Sequence, residues 1–256
     1  MEELGRGRYA ASPPERLRLA GSGGEAGRVA VTELAIGSAV WAELTASLCK
    51  FAAVDSPRLL RLFEVGPDVD PAGAGVYLVT EYAAGGTLAS PSQRLSRTEQ
   101  VRALAGAALG AHDLHEAGVA HGSINPSVVF LTDRGAVLGP SVGGPAGRVV
   151  AMRDWRDLAL VDPDLLRGQP PSRSTDIWAL AASLYALVGP APLYPAMVDD
   201  QPVTAVQRVL FSRPEVSPST PDGLAEVLGP CFDADPGRRP QTAAELGERL
   251  LDLVGR

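Results

Sequence analysis

Up to Tyr82 the chain alternates short extended runs with Gly and Pro breaks. Arg16 to Ala20, Arg28 to Leu34, Arg58 to Val65 and Val76 to Tyr82 read as strands. One helix interrupts them: from Val40 to Phe51 the apolar residues Val40, Trp41, Leu44 and Leu48 recur at three- and four-residue spacing, the stripe of a helix packed on a sheet. Beyond Tyr82 the helical period takes over. Ser96-Arg97-Thr98-Glu99 is a capping box opening a helix with Val101, Leu104, Ala108 and Ala111 on its apolar face, and Gly118 suits the C′ position. A hairpin follows, Val128 to Leu131 and Ala136 to Leu138, turned by Asp133-Arg134-Gly135. Asp176 to Val188 is apolar nearly all round, which predicts a helix buried on every side. Thr242-Ala243-Ala244-Glu245 predicts a second capping box, with Leu246, Leu250 and Leu253 as the apolar face of the last helix. The Gly/Pro-rich stretches Gly21 to Gly27 and Gly139 to Gly147 read as loops inside one domain.

Composition narrows the class. With 256 residues, 45% of them apolar, the chain can bury a substantial core. The longest apolar run, Ile177 to Val188, ends at Gly189-Pro190, short of the roughly 20 residues of a membrane span. Direct membrane insertion is therefore not expected. Met1-Glu2-Glu3 lacks the basic start of a secretory signal, so a cytoplasmic location is expected, including as the cytosolic domain of a longer protein. Cys49 and Cys231 stand far apart, outside any CxxC or Cys/His cluster, and read as ordinary thiols. A net charge of −7 argues against a nucleic-acid partner, which needs a basic face. Of the 23 basic side chains, Lys50 is the one lysine.

Several segments resemble the protein kinase family, in its bacterial eukaryotic-like Ser/Thr branch. Val76-Tyr77-Leu78-Val79-Thr80-Glu81-Tyr82 followed by Gly85-Gly86-Thr87-Leu88 is similar to the fifth strand and hinge. His115 to Ser127, reading HEAGVAHGSINPS, resembles the catalytic loop at almost every step. Asp162-Pro163-Asp164 falls where the family's Ala-Pro-Glu lies, Ser174 to Leu180 resembles the buried helix after it, and Asp235 to Pro240 the motif before the final helix. The resemblance implies an α+β, protein-kinase-like bilobal fold: a small β-rich N-lobe with one main helix, and a larger helical C-lobe. It implies a single domain over residues 1–256, with N-lobe about 1–82, hinge about 81–88 and C-lobe about 89–256.

The chemistry such a fold needs is missing from these segments. Phosphoryl transfer uses a lysine on the phosphates, an aspartate to take the substrate proton, and an asparagine and an aspartate on magnesium. Val29-Ala30-Val31-Thr32 resembles the lysine strand, but the lysine position is Thr32. The base position is Ser123, whose hydroxyl is a poor proton acceptor; the magnesium positions are Val128 and Ser141, in Ser141-Val142-Gly143. The phosphate-covering turn reads Ser12-Pro13-Pro14-Glu15, where proline has no N–H to offer and Glu15 repels phosphate. Glu43 is the candidate for the lysine-pairing glutamate, although the ungapped count falls nearer Ser47, and with Thr32 opposite it reads as a solvated surface charge. Thr80, as gatekeeper, with Glu81 and Ala83 forms a vestigial adenine edge. The expectation is a catalytically inactive pseudokinase acting as a protein-binding, scaffolding or regulatory module, with ATP and magnesium binding weak or absent. A nucleotide-binding switch, or an atypical Ser/Thr kinase using unconventional residues, is the alternative.

Four residues have structural roles implied by the resemblance. Asp176 accepts hydrogen bonds from the catalytic-loop backbone, His121 packs beside the buried helix, and Asp164 pairs with Arg239. His112, His115 and His121 cluster in sequence, but packing rather than metal ligation is expected of them. Gly143 to Asp162 contains no Ser, Thr or Tyr, so phosphorylation has no acceptor there. Arg153, Trp155 and Arg156 in this stretch are the candidate partner surface, their mixture being typical of binding hot spots. The resemblance suggests a forkhead-associated-domain protein or an active kinase as partner.

Overall fold

In the computed structural model, which describes residues 18–20, 29–35, 38–68, 75–92, 94–140, 155–194, 202–221 and 223–255, four antiparallel strands form the first sheet. They are β1 (Arg18–Ala20), β2 (Val29–Ala35), β3 (Leu62–Asp68) and β4 (Gly75–Glu81), in the order β1-β2-β4-β3. Helix α1 (Ser38–Ala52) joins β2 to β3; its Leu44 and Leu48 are buried, as the spacing predicts, and so is Phe51, while the side chains of Val40 and Trp41 lie outside the described ones. The third expected strand, Arg58 to Val65, begins four residues later and runs on to Asp68. Arg58 to Leu60 leave the sheet and reach the other lobe, with the Leu138 N–H donating to the Arg58 carbonyl at 2.9 Å and the Leu60 N–H to the Leu138 carbonyl at 2.9 Å.

That crossing strap is where the small sheet lobe meets the helical lobe. A second antiparallel sheet, ordered β6-β5-β7-β8, contains β5 (Gly86–Thr87), β6 (Ser90–Pro91), β7 (Val129–Thr132) and β8 (Gly135–Leu138). The predicted hairpin is β7–β8, but Val128 belongs to the 3-10 turn before it, Pro126–Val128. Helix α2 (Arg97–Glu116) packs on β8, and its Gly110 has a reason to be glycine: a Cβ would lie 2.8 Å from the Arg58 carbonyl oxygen. Its N-terminus is the expected capping box. Ser96 Oγ accepts from Glu99 N–H, and the Glu99 carboxylate accepts from the Ser96 hydroxyl at 2.6 Å and from Ser96 N–H at 2.7 Å, two bonds that hold the carboxyl below the usual range, the hydroxyl's the larger. Gly118, with φ of 76°, follows the C-cap Ala117.

The helical lobe is built around α4 (Arg173–Val188), buried along nearly its whole length and sharing a core with α2 and α7 (Ala243–Val254). It begins earlier than predicted because Ser172 and Thr175 form a capping box. The short helix α3 (Pro163–Leu166) precedes it in the chain, and α6 (Leu224–Leu228) packs against α7. Helix α5 (Pro202–Phe211) is absent from the sequence expectation, although Ala205, Val206, Val209 and Leu210 recur on one face; Ala205 and Val209 are buried, while Val203 and Phe211 face solvent. At α7 the capping differs from the prediction. Thr242 accepts from Glu245 N–H, but Glu245 turns to Gln241 N–H at 3.1 Å rather than closing the box. Leu246 and Leu250 are buried; Leu253 is exposed, lying against Gly223.

Candidate functional site

The loop after α2 is tied down by one buried carboxylate. Asp176, in the first turn of α4, accepts from His121 N–H at 2.8 Å and Gly122 N–H at 2.8 Å, and its second contact to Oδ2 comes from His115 Nε2 at 2.8 Å. Its side chain is 1% exposed, so every lone-pair direction filled removes a large desolvation penalty. The backbone role expected of Asp176 is therefore seen. His115, at the end of α2, is the partner the sequence reading missed; nothing but its position in a buried last turn marks it beforehand.

His121 is buried, with its ring edge-on to Phe51 at 6.5 Å between centroids and 78° between planes, linking α1 to the loop. Its Nε2 lies 2.9 Å from the Gly139 carbonyl and its Nδ1 accepts from Ser123 N–H at 3.3 Å, which fixes the protonated nitrogen as Nε2. Burial pushes the imidazole below its ordinary pKa, against the opposing pull of Asp176 and the Gly139 carbonyl. The three histidines do not converge: His112 faces Glu116, His115 faces Asp176, and His121 faces Gly139. Among the described residues no three His, Cys, Asp or Glu side chains could hold a metal ion together.

The rest of the loop is self-tied. Gly122 has φ of 80°, and a Cβ there would sit 2.9 Å from the Pro171 ring, so both backbone and packing favour glycine. Asn125 caps the 3-10 turn by accepting from Ser127 N–H at 2.8 Å while its Nδ2 donates to the Ser123 carbonyl at 3.0 Å. Val128 is buried at 5% exposure within that turn, presenting an isopropyl group. Thr32 lies on β2 opposite Leu78, half-buried, on the same face of the strand as Ala30, which is opposite Thr80. Thr80 is buried. At the connection between the lobes, Glu81 is ion-paired with Arg134 of the β7–β8 turn, and the Ala83 carbonyl accepts from Gly86 N–H at 3.1 Å. Glu81 thus spans the two lobes instead of pointing into a free cleft.

The expected Asp164–Arg239 pair is replaced by another. Arg239, 2% exposed, donates through Nη1 to Asp162, whose side chain is fully buried; it also donates through Nε to the Asp233 carbonyl at 2.9 Å and through Nη1 to the Ser174 carbonyl at 3.2 Å. Its guanidinium stacks 4.8 Å from the centroid of Trp178. Asp164 lies outward and pairs with Arg167 at 2.8 Å, one turn along. The reason is capping. Asp162 is the N-cap of α3, accepting from Asp164 N–H at 2.9 Å, with Pro163 at the first helical position. An N-cap carboxylate turns inward over the helix end, whereas Asp164, inside the first turn, projects away. Asp before Pro was the available signal.

Ser141, the phosphate turn at Ser12 to Glu15, the loop Gly21 to Gly27 and Arg153 lie outside the described residues. The backbone of Trp155 and Arg156 belongs to a 3-10 segment, Trp155–Leu160, but their side chains lie outside the described ones, as does that of Glu43 on α1; Ser47 is half-buried on the same helix.

Sequence comparison adds relatives. The chain is 28% identical over 180 residues to the serine/threonine-protein kinase PkaB of Streptomyces coelicolor, covering 63% of this chain and 41% of that protein. It is 27% identical over 201 residues to the probable serine/threonine-protein kinase PkwA of Thermomonospora curvata, covering 73% and 26%. It is 23% identical over 218 residues to the serine/threonine-protein kinase PknB of Mycobacterium tuberculosis, covering 78% and 34%. The chain spans less than half the length of each of these curated relatives. No family model matches it.

Proposed function

We propose that this chain, a member of the protein kinase superfamily by its relatives and its two-lobed fold, is a pseudokinase that acts as a protein-binding, scaffolding or regulatory module. One observation carries the reading. Thr32, Ser123 and Val128 stand at the positions of the phosphate cation, the proton acceptor and a magnesium ligand, and supply two hydroxyls and a buried isopropyl group. Strand β2 carries Glu33 as its one charged residue, so the strand itself supplies no cation in place of Thr32.

The residues that hold the loops are retained beside these losses. The buried Asp176 network and the Asp162–Arg239 pair support a rigid C-lobe that presents its surface without moving phosphate. ATP and magnesium are accordingly weak ligands or none, and function lies with a protein partner. A cytoplasmic setting belongs to the same proposal; among the described residues no helix is long and apolar enough to cross a membrane.

The competing reading, an atypical Ser/Thr kinase or nucleotide switch, is favoured by the names of the relatives, which are kinases. Phosphotransfer from γ-labelled ATP to the chain itself and to a generic protein acceptor separates the two. The proposal expects no label beyond that of a Ser123→Ala variant. Labelling that needs magnesium and falls with Ser123→Ala would establish the atypical kinase instead.

A further inference from the structure

A cleft of about 330 Å³ opens where the end of α1 turns into β3, and it is built from two unlike halves. Phe51, Leu59 and Leu60, each at most 5% exposed, make an apolar floor. Arg61 and Arg134 stand on its rim, with Asp55 as the one acid in the lining. Arg61 is exposed and has no carboxylate within ion-pair range among the described residues, and Arg134, although paired with Glu81, keeps 34% of its side chain in solvent. In a chain of net charge −7 the lining carries two arginines and one aspartate, and Glu81 already takes part of the charge of Arg134, so Arg61 is its one cation outside an ion pair among the described residues.

Strand β3 sharpens the picture. It is the edge of its sheet, and the ladder skips a residue: Leu62 lies opposite Thr80 and Glu64 opposite Val79, so Phe63 is left without a partner in the register. The bulge turns Phe63 outward at the cleft, 55% exposed. An aromatic ring held in water beside an apolar floor, an unpaired arginine and an open strand edge combine the anchors found at peptide-binding surfaces.

We propose that this cleft docks an acidic, apolar-anchored peptide segment of a partner protein, with its apolar side chains on Phe51, Leu59 and Phe63 and its carboxylates on Arg61 and Arg134. The proposal deepens, and rests on, the reading of the chain as a binding module. Charge complementarity selects the occupant: Arg61 has no carboxylate of its own and Arg134 keeps part of its guanidinium in solvent beside Glu81, so a carboxylate finds open donors here that a basic segment does not, and two arginines are too few to draw a nucleic acid to an acidic chain.

The test uses the whole chain and a short fluorescein-labelled peptide carrying Phe-Leu between pairs of glutamates, read by fluorescence anisotropy. Saturable binding that weakens with added salt is expected, together with a loss of about tenfold or more in both Phe63→Ser and Arg61→Glu. Ala53→Trp, at an exposed lining position, fills the cleft without touching its charges and must weaken binding too, which guards against either first variant failing to fold. Absence of saturation at about 1 mM peptide, equal binding by the three variants, or equal binding of a lysine-flanked peptide overturns the proposal. So does a self-dimer, seen by sedimentation, that Phe63→Ser dissolves while the peptide does not bind. ATP–Mg²⁺ binding is measured on the same preparation: a positive result there overturns the pseudokinase reading and leaves the outcome at the cleft intact.

Discussion

Replacing Arg239 by alanine removes the guanidinium that faces the fully buried Asp162 carboxylate, and the structure allows the cost to be bracketed. The Asp162 and Arg239 side chains are 0% and 2% exposed, so water cannot take the place of the missing partner. Asp162 would keep the Asp164 N–H as a hydrogen-bond donor, while the Asp233 and Ser174 carbonyls and the Trp178 face would lose their contacts with Arg239. Breaking one side of such a pair costs about 3–5 kcal/mol. Asp164→Ala provides the internal control: its pair with Arg167 has side chains 28% and 51% exposed, and such pairs contribute about 0–1 kcal/mol. Urea unfolding followed by tryptophan fluorescence reads both, as shifts in midpoint at constant slope. The expected order is a large loss for Arg239→Ala and a small one for Asp164→Ala. A loss below about 1 kcal/mol for Arg239→Ala, or equal losses for the two, would refute the buried pair.

Other outcomes follow from the same geometry. Because burial lowers the His121 pKa from its ordinary 6.5, the unfolded chain binds that proton at higher pH than the folded one. Stability should therefore be full above the unfolded value and fall as pH drops below it, with a shallower fall in His121→Gln; equal slopes for the two proteins by denaturant titration would contradict this. Gly110→Ala puts a Cβ against the Arg58 carbonyl oxygen and should cost roughly 1–3 kcal/mol; an unchanged melting temperature would show that the strap between the lobes gives way freely. Cys231 is fully buried, and burial pushes its thiol up to about 12, whereas Cys49 is exposed. A thiol-specific disulfide reagent should thus label one cysteine in the native protein and both after denaturation; two rapid equivalents in the native state would count against that core.

The fold was legible where local and global signals agree. Ser96 with Glu99, the all-round apolar α4 and the β7–β8 hairpin each follow from a pattern within a dozen residues. What escaped the sequence depends on distant partners. Arg58 to Leu60 have strand-like composition, yet their hydrogen bonds go to Leu138 in the other lobe, and no local period encodes that. Helix α5 has a stripe of only four residues, Ala205, Val206, Val209 and Leu210, and apolar Val203 and Phe211 on its solvent side blur the contrast between its faces. At the site, Asp176 was found because its motif fixes it at the start of a buried helix. Asp162 was missed because two aspartates flank Pro163, and only the turn of the chain decides which carboxylate points inward. Phe63 likewise reads as one strand residue among several; the register skip that exposes it is a property of the paired ladder.

The central claim, that the retained fold has lost its phosphate chemistry, is tested most directly by titrating ATP into the whole chain with and without magnesium and following the melting temperature. A ligand that binds the native state raises it by an amount set by RT ln(1 + [L]/Kd). With Thr32 and Val128 at the positions for the cation and the metal ligand, no magnesium-dependent rise is expected at sub-millimolar ATP. A saturable rise that requires magnesium would contradict the account.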